Sequence, residues 1–332
     1  MKTILLTGAS GVVGRALIDQ LTDTHLLCLV HRTPVRGDNV TLLAGDITRP
    51  RLGLTRSEYN ELAGRIDLVV HAAAITDFEQ PADAIAATNI EGTRQIVTLA
   101  RTAGMPLIYI GTAFAQTRSS VTRFDANTYE ASKRAAEDIV RGSDVTSVIV
   151  RPSIVIGDSR SGAIGRFQGF HFVLGMWMRG LLPIATIGTR SLIDYVPQDL
   201  VARAIAALIT HGARGDEYWI TLGDRALSLE RIIEICVAHA QVHGGRPVVR
   251  PRLYSFETFD RLIRPVFFNA LPAPLRASFE RAMSVGRYIN IDQPFPTSLP
   301  ELESEFGLVL PSPEDTLNRN LDFWLQHHVR AA

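Results

Sequence analysis

Short apolar segments alternate with helix-length segments along the first half of the chain. The short segments are rich in β-branched residues and are apolar on both faces, which is typical of buried parallel strands. They are Thr3–Leu6, His25–Val30, Val40–Ala44, Leu68–His71, Leu107–Ile110 and Ser147–Val150. Helices with one apolar face are predicted between them at Gly14–Leu21, Ala82–Thr102 and Tyr129–Arg141. This alternation predicts an α/β fold built on a Rossmann-type doubly wound parallel sheet.

The pattern changes after Pro152, where strands become rare and glycine and proline become frequent. One further strand is predicted at Glu217–Leu222 and one further helix at Asp199–Thr210. From Ser228 onward the sequence is mostly helical in character and is interrupted by several prolines. We therefore expect a smaller, mostly helical C-terminal region beside the sheet.

The composition excludes several classes of protein. The 332 residues are 46% apolar, and 34 basic residues balance 34 acidic ones. Zero net charge argues against a nucleic-acid groove or a polybasic membrane anchor. The longest apolar stretch, residues 167–187, contains His171, Arg179 and Pro183, so no membrane span is predicted. Cys28 and Cys236 are the only cysteines, which favours a reducing, cytoplasmic compartment over a disulfide framework.

A glycine-rich segment follows the first predicted strand and opens the first predicted helix. Its spacing is G-x-x-G-x-x-G, which allows a tight turn, a close approach of a pyrophosphate and close packing of helix on strand. Free N–H groups and the helix dipole at this position favour an anion. The expected cofactor-binding residues of the segment are Gly8, Ser10, Gly11, Val12, Val13 and Gly14.

The end of the second strand indicates which dinucleotide binds. An acidic residue there binds the 2′-hydroxyl of NAD, whereas an arginine accommodates a 2′-phosphate. The strand ends at Val30 and is followed by His31 and Arg32, without Asp or Glu. NADP(H) is therefore the predicted cofactor. The alternative is that Arg32 is an ordinary surface residue that does not contact the cofactor.

A tyrosine and a lysine stand four residues apart on the predicted helix 129–141. Tyr129 and Lys133 emerge on one helix face, and a nearby ammonium group stabilises a phenolate. Thr112 follows the strand Leu107–Ile110, so its hydroxyl lies at the carboxyl edge of the sheet, where ligands of open α/β folds bind. We predict Thr112, Tyr129 and Lys133 as the catalytic set, the alternative being a surface Tyr–Lys pair.

Five motifs in sequence resemble the extended short-chain dehydrogenase/reductase superfamily. They are TGASGVVG, HAAA at 71–74, NIEGT at 89–93, YEASK at 129–133 and RPSIVIG at 151–157. The resemblance covers residues 1–210 and implies a catalytic Thr112–Tyr129–Lys133 set, with Lys133 also holding the nicotinamide ribose. It further implies cofactor contacts by Asp46, Ile47, Ala72, Ala73, Ala74, Pro152, Ile154 and Val155.

A narrower resemblance is to thioester reductase and fatty acyl reductase-type (male-sterility-like) domains. It is carried by residues 45–55, with Tyr59 and Leu62, and by the segment Gly157–Gly162. Such domains reduce carrier- or coenzyme A-bound acyl thioesters with NADPH, and this chain is expected to do similar chemistry. The expected domains are 1–156 for NADP binding, with 192–222 returning to it, and 157–191 with 223–332 for substrate binding.

Aromatic clusters after residue 160 bear on the substrate. One lies between Phe167 and Trp177 and another between Phe256 and Phe268. They favour a hydrophobic small-molecule substrate, although ordinary core packing explains them equally well. A sugar-nucleotide substrate remains the alternative, because four arginines in this region could bind its diphosphate: Arg160, Arg166, Arg179 and Arg190.

The sequence thus predicts an NADPH-dependent carbonyl reductase acting on a thioester, aldehyde or ketone of an acyl or polyketide-like molecule. The alternatives are a sugar-nucleotide epimerase or dehydratase and a non-catalytic NADP-sensing regulator. No nucleic-acid partner and no metal are expected, because the histidines lack ligand spacing. The protein is expected to be a monomer or a homodimer.

Overall fold

The computed structural model describes residues 2–77, 80–116, 128–188, 190–244 and 248–328. The strands are β1 Thr3–Thr7, β2 His25–Val30, β3 Val40–Ala44, β4 Leu68–His71, β5 Leu107–Ile110, β6 Ser147–Pro152, β7 Ile154–Ile156, β8 Ile184–Ile187, β9 Leu192–Ile193, β10 Tyr195–Pro197, β11 Glu217–Ile220, β12 Leu227–Ser228 and β13 Arg252–Ser255. The α-helices are α1 Val12–Gln20, α2 Arg56–Ala63, α3 Ala82–Ala86, α4 Gly92–Ala103, α5 Thr128–Arg141, α6 Gly169–Met178, α7 Gln198–His211, α8 Leu229–Gly244, α9 Phe256–Thr258, α10 Arg264–Ala270, α11 Ala273–Ile289, α12 Leu299–Phe306 and α13 Pro313–His328.

A seven-stranded parallel sheet forms the centre of the molecule. Its order is β11-β6-β5-β4-β1-β2-β3. The strand order reverses between β1 and β4, and the carboxyl ends of these two strands flank a crevice at which such sheets bind dinucleotides. The predicted Rossmann-type α/β fold is confirmed.

Alternate residues of each central strand enter two different cores, because successive side chains of a strand point to opposite faces. Ile4 and Leu6 pack with α1 and α7 on one face of the sheet. Leu5 packs on the other face with residues from α2, α4 and α5. The central strands are therefore apolar on both faces because each face packs against its own layer of helices.

Strand β3 is the exception among the predicted buried strands. It lies at the edge of the sheet, and Leu42 is 45% exposed. The expectation of full burial is wrong for this strand, because an edge strand has a neighbour on one side only.

The predicted helix 82–102 is divided in the structure. Residues 87–91 form a π-helical turn between α3 and α4. The side chain of Asn89 in this turn pairs with both backbone polar groups of Ile75, at 2.8 and 3.0 Å. A π turn within a helix is frequently found at a functional site.

The C-terminal half contributes a third core, and its predicted helical character is confirmed. This core is built from α6, α8, α11 and α13, with buried residues such as Trp177, Ile232 and Trp324. Helix α12 departs from it, because Leu299 and Leu302 pack into the core of the sheet. Strand β11 also joins the sheet, beside β6. Among the described residues, no helix combines the length and apolar character needed to span a bilayer.

Candidate active site

The glycine loop joins β1 to α1 at the crevice between β1 and β4. Gly8 has φ +73°, and a Cβ atom at this position would lie 2.5 Å from the backbone of Ala72 and Ala73. A Cβ atom on Gly14 would lie 2.2 Å from the carbonyl oxygen of Gly8. The Gly11 N–H donates to the Gly8 carbonyl at 2.9 Å, and α1 begins at the next residue. The loop thus offers the backbone cradle and helix N-terminus that a pyrophosphate requires.

Replacement of Gly8 by alanine tests how closely this loop packs on β4. Gly104 is the matched control, because it has φ +66° and a Cβ atom there would meet no atom within 4 Å. Gly104→Ala therefore carries the strain of positive φ alone, about 1–2 kcal/mol. We expect Gly8→Ala to lower the free energy of unfolding by about 1–3 kcal/mol more than Gly104→Ala, through overlap with backbone. Urea unfolding of both variants checks this, and equal losses would contradict it.

Residues predicted to contact the adenosine end of a cofactor lie beyond β2 and β3. Arg32 is exposed, and its side chain has no hydrogen bond or ion pair within the described parts of the chain. Asp46 accepts from the N–H and hydroxyl groups of Thr48 at 2.9 and 2.7 Å, and it lies 3.7 Å from Nε2 of His31. Burial alone would raise the Asp46 pKa, but the bonds from Thr48 and nearby positive charge hold it below its ordinary value. Ile47 is buried beside α4.

The exit of β4 lies directly against the glycine loop. The backbone N–H of Ala72 donates to the Thr7 carbonyl at 3.2 Å, and that of Ala73 donates to the Thr7 hydroxyl at 3.4 Å. Ala72, Ala73 and Ala74 are half-buried. The structure therefore brings the predicted cofactor residues of both strand ends together.

The three predicted catalytic residues converge at the end of β5. The side chain of Tyr129 is hydrogen-bonded to that of Thr112, and both residues are buried. Lys133, one turn further along α5, is 3% exposed and donates from Nζ to the Ile110 carbonyl at 2.7 Å. The predicted helix thus carries Tyr129 and Lys133 to the carboxyl edge of the sheet, where Thr112 stands.

The charges in this cluster differ from the sequence-based expectation. Lys133 was expected to depress the Tyr129 pKa, but burial raises that pKa above its ordinary value despite the opposing Thr112 hydrogen bond. The Lys133 ammonium group is instead directed to the carbonyl of Ile110. Burial also lowers the Lys133 pKa to about 7, against the opposing effect of Glu137. Tyr129 is therefore a protonated phenol near neutral pH.

Pro152, Ile154 and Val155 lie at the carboxyl end of β6 and in β7. Pro152 is buried, whereas Ile154 and Val155 are half-buried. Val155 packs on the core of the sheet, and Ile154 packs on the C-terminal core. These residues therefore line the junction between the two parts of the molecule.

Buried polar residues that the sequence did not assign connect these elements. His71 lies between the hydroxyls of Thr7 and Thr93, at 2.6 and 3.1 Å from its two ring nitrogens. Asn89 donates to Ser132 at 2.9 Å, and Ser132 donates to the Tyr129 carbonyl at 2.7 Å. His71 falls within the HAAA motif, Asn89 and Thr93 within NIEGT, and Ser132 within YEASK, so their places in these motifs are the signal that marks them.

A buried ion pair between Arg151 and Glu137 joins α5 to the sheet. Arg151 of β6 is fully buried and donates to both carboxylate oxygens of Glu137, the closest contact being 2.9 Å. It also donates to Glu217 of β11 at 2.9 Å, and its guanidinium lies 4.9 Å from the Trp219 ring centroid. Arg151 therefore ties the helix of Tyr129 and Lys133 to two strands.

The aromatic clusters of the second half divide between core and surface. Phe170, Met176, Trp177 and Phe259 are buried in the C-terminal core. Phe167, Phe172 and Phe267 are half-buried against the same core. Core packing thus accounts for the fully buried members, and the half-buried members are those that remain available to a ligand. No group of metal-ligating side chains occurs among the residues described.

The chain is similar over part of its length to curated proteins. The chain is 34% identical over 139 residues to glycine betaine reductase ATRR of Emericella nidulans, covering 33% of this chain and 11% of that protein. It is 30% identical over 228 residues to the hybrid PKS-NRPS synthetase pvhA of Talaromyces variabilis, covering 62% of this chain and 6% of that protein. The chain therefore spans only a small part of these curated relatives.

Solved structures share the fold across nearly the whole chain. The terminal R domain from the myxalamid PKS-NRPS pathway superposes with a TM-score of 0.80 at 23% identity, covering 99% of this chain and 92% of that one. Bordetella bronchiseptica WbmG in complex with NAD and UDP has a TM-score of 0.64 at 18% identity, covering 98% and 94%. The family model described as male sterility protein matches residues 33–126 and 121–205, which is more than half of the chain. The chain therefore belongs to the male sterility protein family of NAD-binding domains.

Proposed function

We propose that this chain is an NADPH-dependent reductase of acyl thioesters that uses Tyr129 as its proton donor. The family and the fold indicate an NAD(P)-dependent oxidoreductase. The observation that carries the finer proposal is the hydrogen bond between Tyr129 and Thr112 at the end of β5, with Lys133 on the same helix. This cluster lies at the sheet edge where the glycine loop would place a dinucleotide.

The side chains at this edge suit reduction of a carbonyl group. When bound, a reduced nicotinamide would supply hydride to the carbonyl carbon. The Thr112 and Tyr129 hydroxyls then stabilise the negative charge that develops on the carbonyl oxygen. Tyr129 gives its proton to that oxygen, which its raised pKa permits because the phenol is protonated near neutral pH. With a thioester, breakdown of the resulting tetrahedral adduct releases an aldehyde and a thiol.

Arg32 supports the choice of NADPH. Its guanidinium is exposed beyond β2 and unpaired within the described residues, so it is available to a 2′-phosphate. Asp46, the carboxylate near this strand end, is held by Thr48. Arg32 thereby supplies positive charge just after β2, where an NAD-specific site carries an acid.

Replacement of Arg32 by alanine tests this cofactor assignment. A charge-assisted hydrogen bond contributes about 1.5–3 kcal/mol, so we expect the KM for NADPH to rise about 10–100-fold. The KM for NADH should remain unchanged, because NADH lacks the phosphate. Arg36, another exposed arginine in the same loop, is the matched control for general loss of charge. Equal effects on NADPH and NADH would contradict the assignment.

The substrate-binding region is proposed to comprise residues 157–191 and 223–332. Its half-buried aromatic side chains, together with Ile154 at the junction, suit an apolar acyl chain. Relatives with PKS-NRPS synthetase names, and the thiolation-reductase di-domain among structures of the same fold, support a substrate carried as a thioester. Carrier-protein-bound or coenzyme A-bound acyl groups are the proposed substrates.

NADPH oxidation against a panel of compounds tests the proposal as a whole. The panel contains acyl thioesters of increasing chain length, aldehydes, aromatic ketones and nucleotide sugars, and the products are identified by mass spectrometry. We expect turnover with thioesters, release of a thiol and formation of an aldehyde, with kcat/KM rising with acyl length. Turnover confined to ketones or aldehydes would overturn the thioester assignment while leaving the Tyr129 mechanism intact.

A sugar-nucleotide epimerase or dehydratase is the competing function. The observation in its favour is the fold shared with WbmG, which was solved with NAD and UDP. Such an enzyme regenerates its cofactor in each cycle and consumes no added NADPH. Conversion of a nucleotide sugar without NADPH oxidation would therefore favour it over the reductase. Absence of turnover with every compound, together with NADPH binding, would favour a non-catalytic NADP-sensing protein.

A further inference from the structure

Tyr109 lies directly beneath the proposed catalytic lysine. It belongs to β5, is 1% exposed, and presents its ring to Lys133 at 4.4 Å from Nζ to the ring centroid. The same ammonium group donates to the carbonyl of Ile110, the next residue of the strand. Lys133 is therefore held between an aromatic face and a backbone carbonyl, in a region closed to water.

The Tyr109 ring is itself fixed by neighbouring elements. Its hydroxyl is hydrogen-bonded to Thr93 of α4. The Thr93 hydroxyl donates to the Asn89 carbonyl at 2.7 Å, so it accepts from both Tyr109 and Nε2 of His71. The rings of His71 and Tyr109 lie 5.7 Å apart. The ring that faces Lys133 is thus anchored to β4 and α4.

Several charged or titratable groups face this position from the elements packed around it. Glu137 and Tyr129 share α5 with Lys133, His71 belongs to β4, and Arg151 reaches Glu137 from β6. Burial and the neighbouring Lys133 charge lower the His71 pKa to about 3, so His71 is neutral. Glu137 is the acidic group that raises the Lys133 pKa. Apart from Glu137, the described surroundings offer the ammonium group neutral partners.

We propose that Tyr109 is a positioning residue whose ring holds Lys133 as an ammonium ion, one turn from Tyr129 on α5. The attraction between a cation and a ring face is strongest where water is excluded, as it is here. The inference rests on the proposed function for its catalytic meaning, since Lys133 belongs to the proposed catalytic cluster. The state of Lys133 can nevertheless be measured without any turnover.

The lysine content of the chain makes that measurement direct. Lys2 and Lys133 are the only lysines in the sequence. Protein labelled with ¹³C at lysine Cε gives two NMR signals, and Lys2→Arg assigns them. Tyr109→Leu removes the ring, whereas Tyr109→Phe keeps the ring and removes the hydroxyl, so phenylalanine is the matched control for loss of the Thr93 bond.

We expect the Lys133 signal of Tyr109→Leu to titrate about one pH unit lower than in the unsubstituted protein. Tyr109→Phe should titrate within about a third of a unit of it, because the ring remains. The alkaline limb of the kcat–pH profile should likewise shift to lower pH in Tyr109→Leu and stay nearly unchanged in Tyr109→Phe. A Tyr109→Leu titration that coincides with that of the unsubstituted protein would overturn the inference. Should this variant not fold, Tyr109→Met removes the ring with less loss of volume and is held to the same expectation.

Failure of this inference and failure of the proposed function are distinguishable. An unshifted Lys133 titration, with turnover still dependent on Tyr129, overturns only the role of Tyr109. A shifted titration, with turnover independent of Tyr129 and Lys133, leaves the role of Tyr109 in holding the ammonium group but overturns the proposed mechanism.

Discussion

Tyr129→Phe is expected to lower kcat by about 10²–10⁴-fold, the usual contribution of a positioned proton donor. The phenylalanine ring fills the same buried space beside Thr112, but it carries no proton for the carbonyl oxygen. NADPH affinity should remain close to that of the unsubstituted protein, because the glycine loop and Arg32 are untouched. Steady-state kinetics with a thioester and fluorescence titration with NADPH measure the two quantities separately.

The control for this experiment is Tyr59→Phe. Tyr59 is a buried tyrosine of α2 whose side chain packs in the core on the α4 side of the sheet. It belongs to no part of the proposed catalytic cluster, so loss of its hydroxyl should affect stability rather than kcat. A Tyr129→Phe enzyme that turns over as fast as Tyr59→Phe would exclude Tyr129 as the proton donor.

Arg151→Met is expected to lower the free energy of unfolding by about 3–5 kcal/mol. The loss is large because Glu137 is buried beside Arg151 and would be left as an uncompensated charge. A loss of this size is a considerable part of the 5–15 kcal/mol that stabilises a typical domain. Urea unfolding at low temperature measures it.

Two further variants separate the ion pair from simple loss of packing. Arg151→Met combined with Glu137→Gln removes both charges, so it should recover much of the lost stability. Arg231→Met removes an exposed arginine that pairs with Glu314 at 2.8 Å, and it should leave stability nearly unchanged, because water replaces that pair. Equal losses for Arg151→Met and the double variant would show that the charge on Glu137 is not the cause.

Local constraints explain why much of the fold and of the site could be predicted from the sequence. The glycine loop is recognisable because its requirements lie in the backbone of seven consecutive residues, from Gly8 to Gly14. Tyr129 and Lys133 are recognisable because one helical turn brings them together. Thr112 is recognisable because it comes just after a strand, and the carboxyl ends of parallel strands lie at the edge of the sheet where ligands bind.

Contacts between distant segments explain what was missed. The Asn89–Ser132 bond joins residues 43 apart, and the Arg151–Glu217 pair joins residues 66 apart. Neither has a local signal that a pattern of apolar and polar positions could reveal. The pKa of Tyr129 also depends on burial by segments that are distant in sequence. A pattern within one helix does not reveal this burial, so the expectation of a lowered pKa was wrong.

The position of β11 also has a consequence for how the chain folds as it is synthesised. When Arg151 leaves the ribosome, its partner Glu217 and the strand that covers β6 are still 66 residues away. Until they arrive, the edge of β6 is unpaired and Arg151 is only partly neutralised. A nascent chain at this stage exposes a strand edge of the kind that recruits chaperones or aggregates. The ion pair that supports α5 is therefore completed late, and the proposed catalytic helix gains its full support only after β11 has been made.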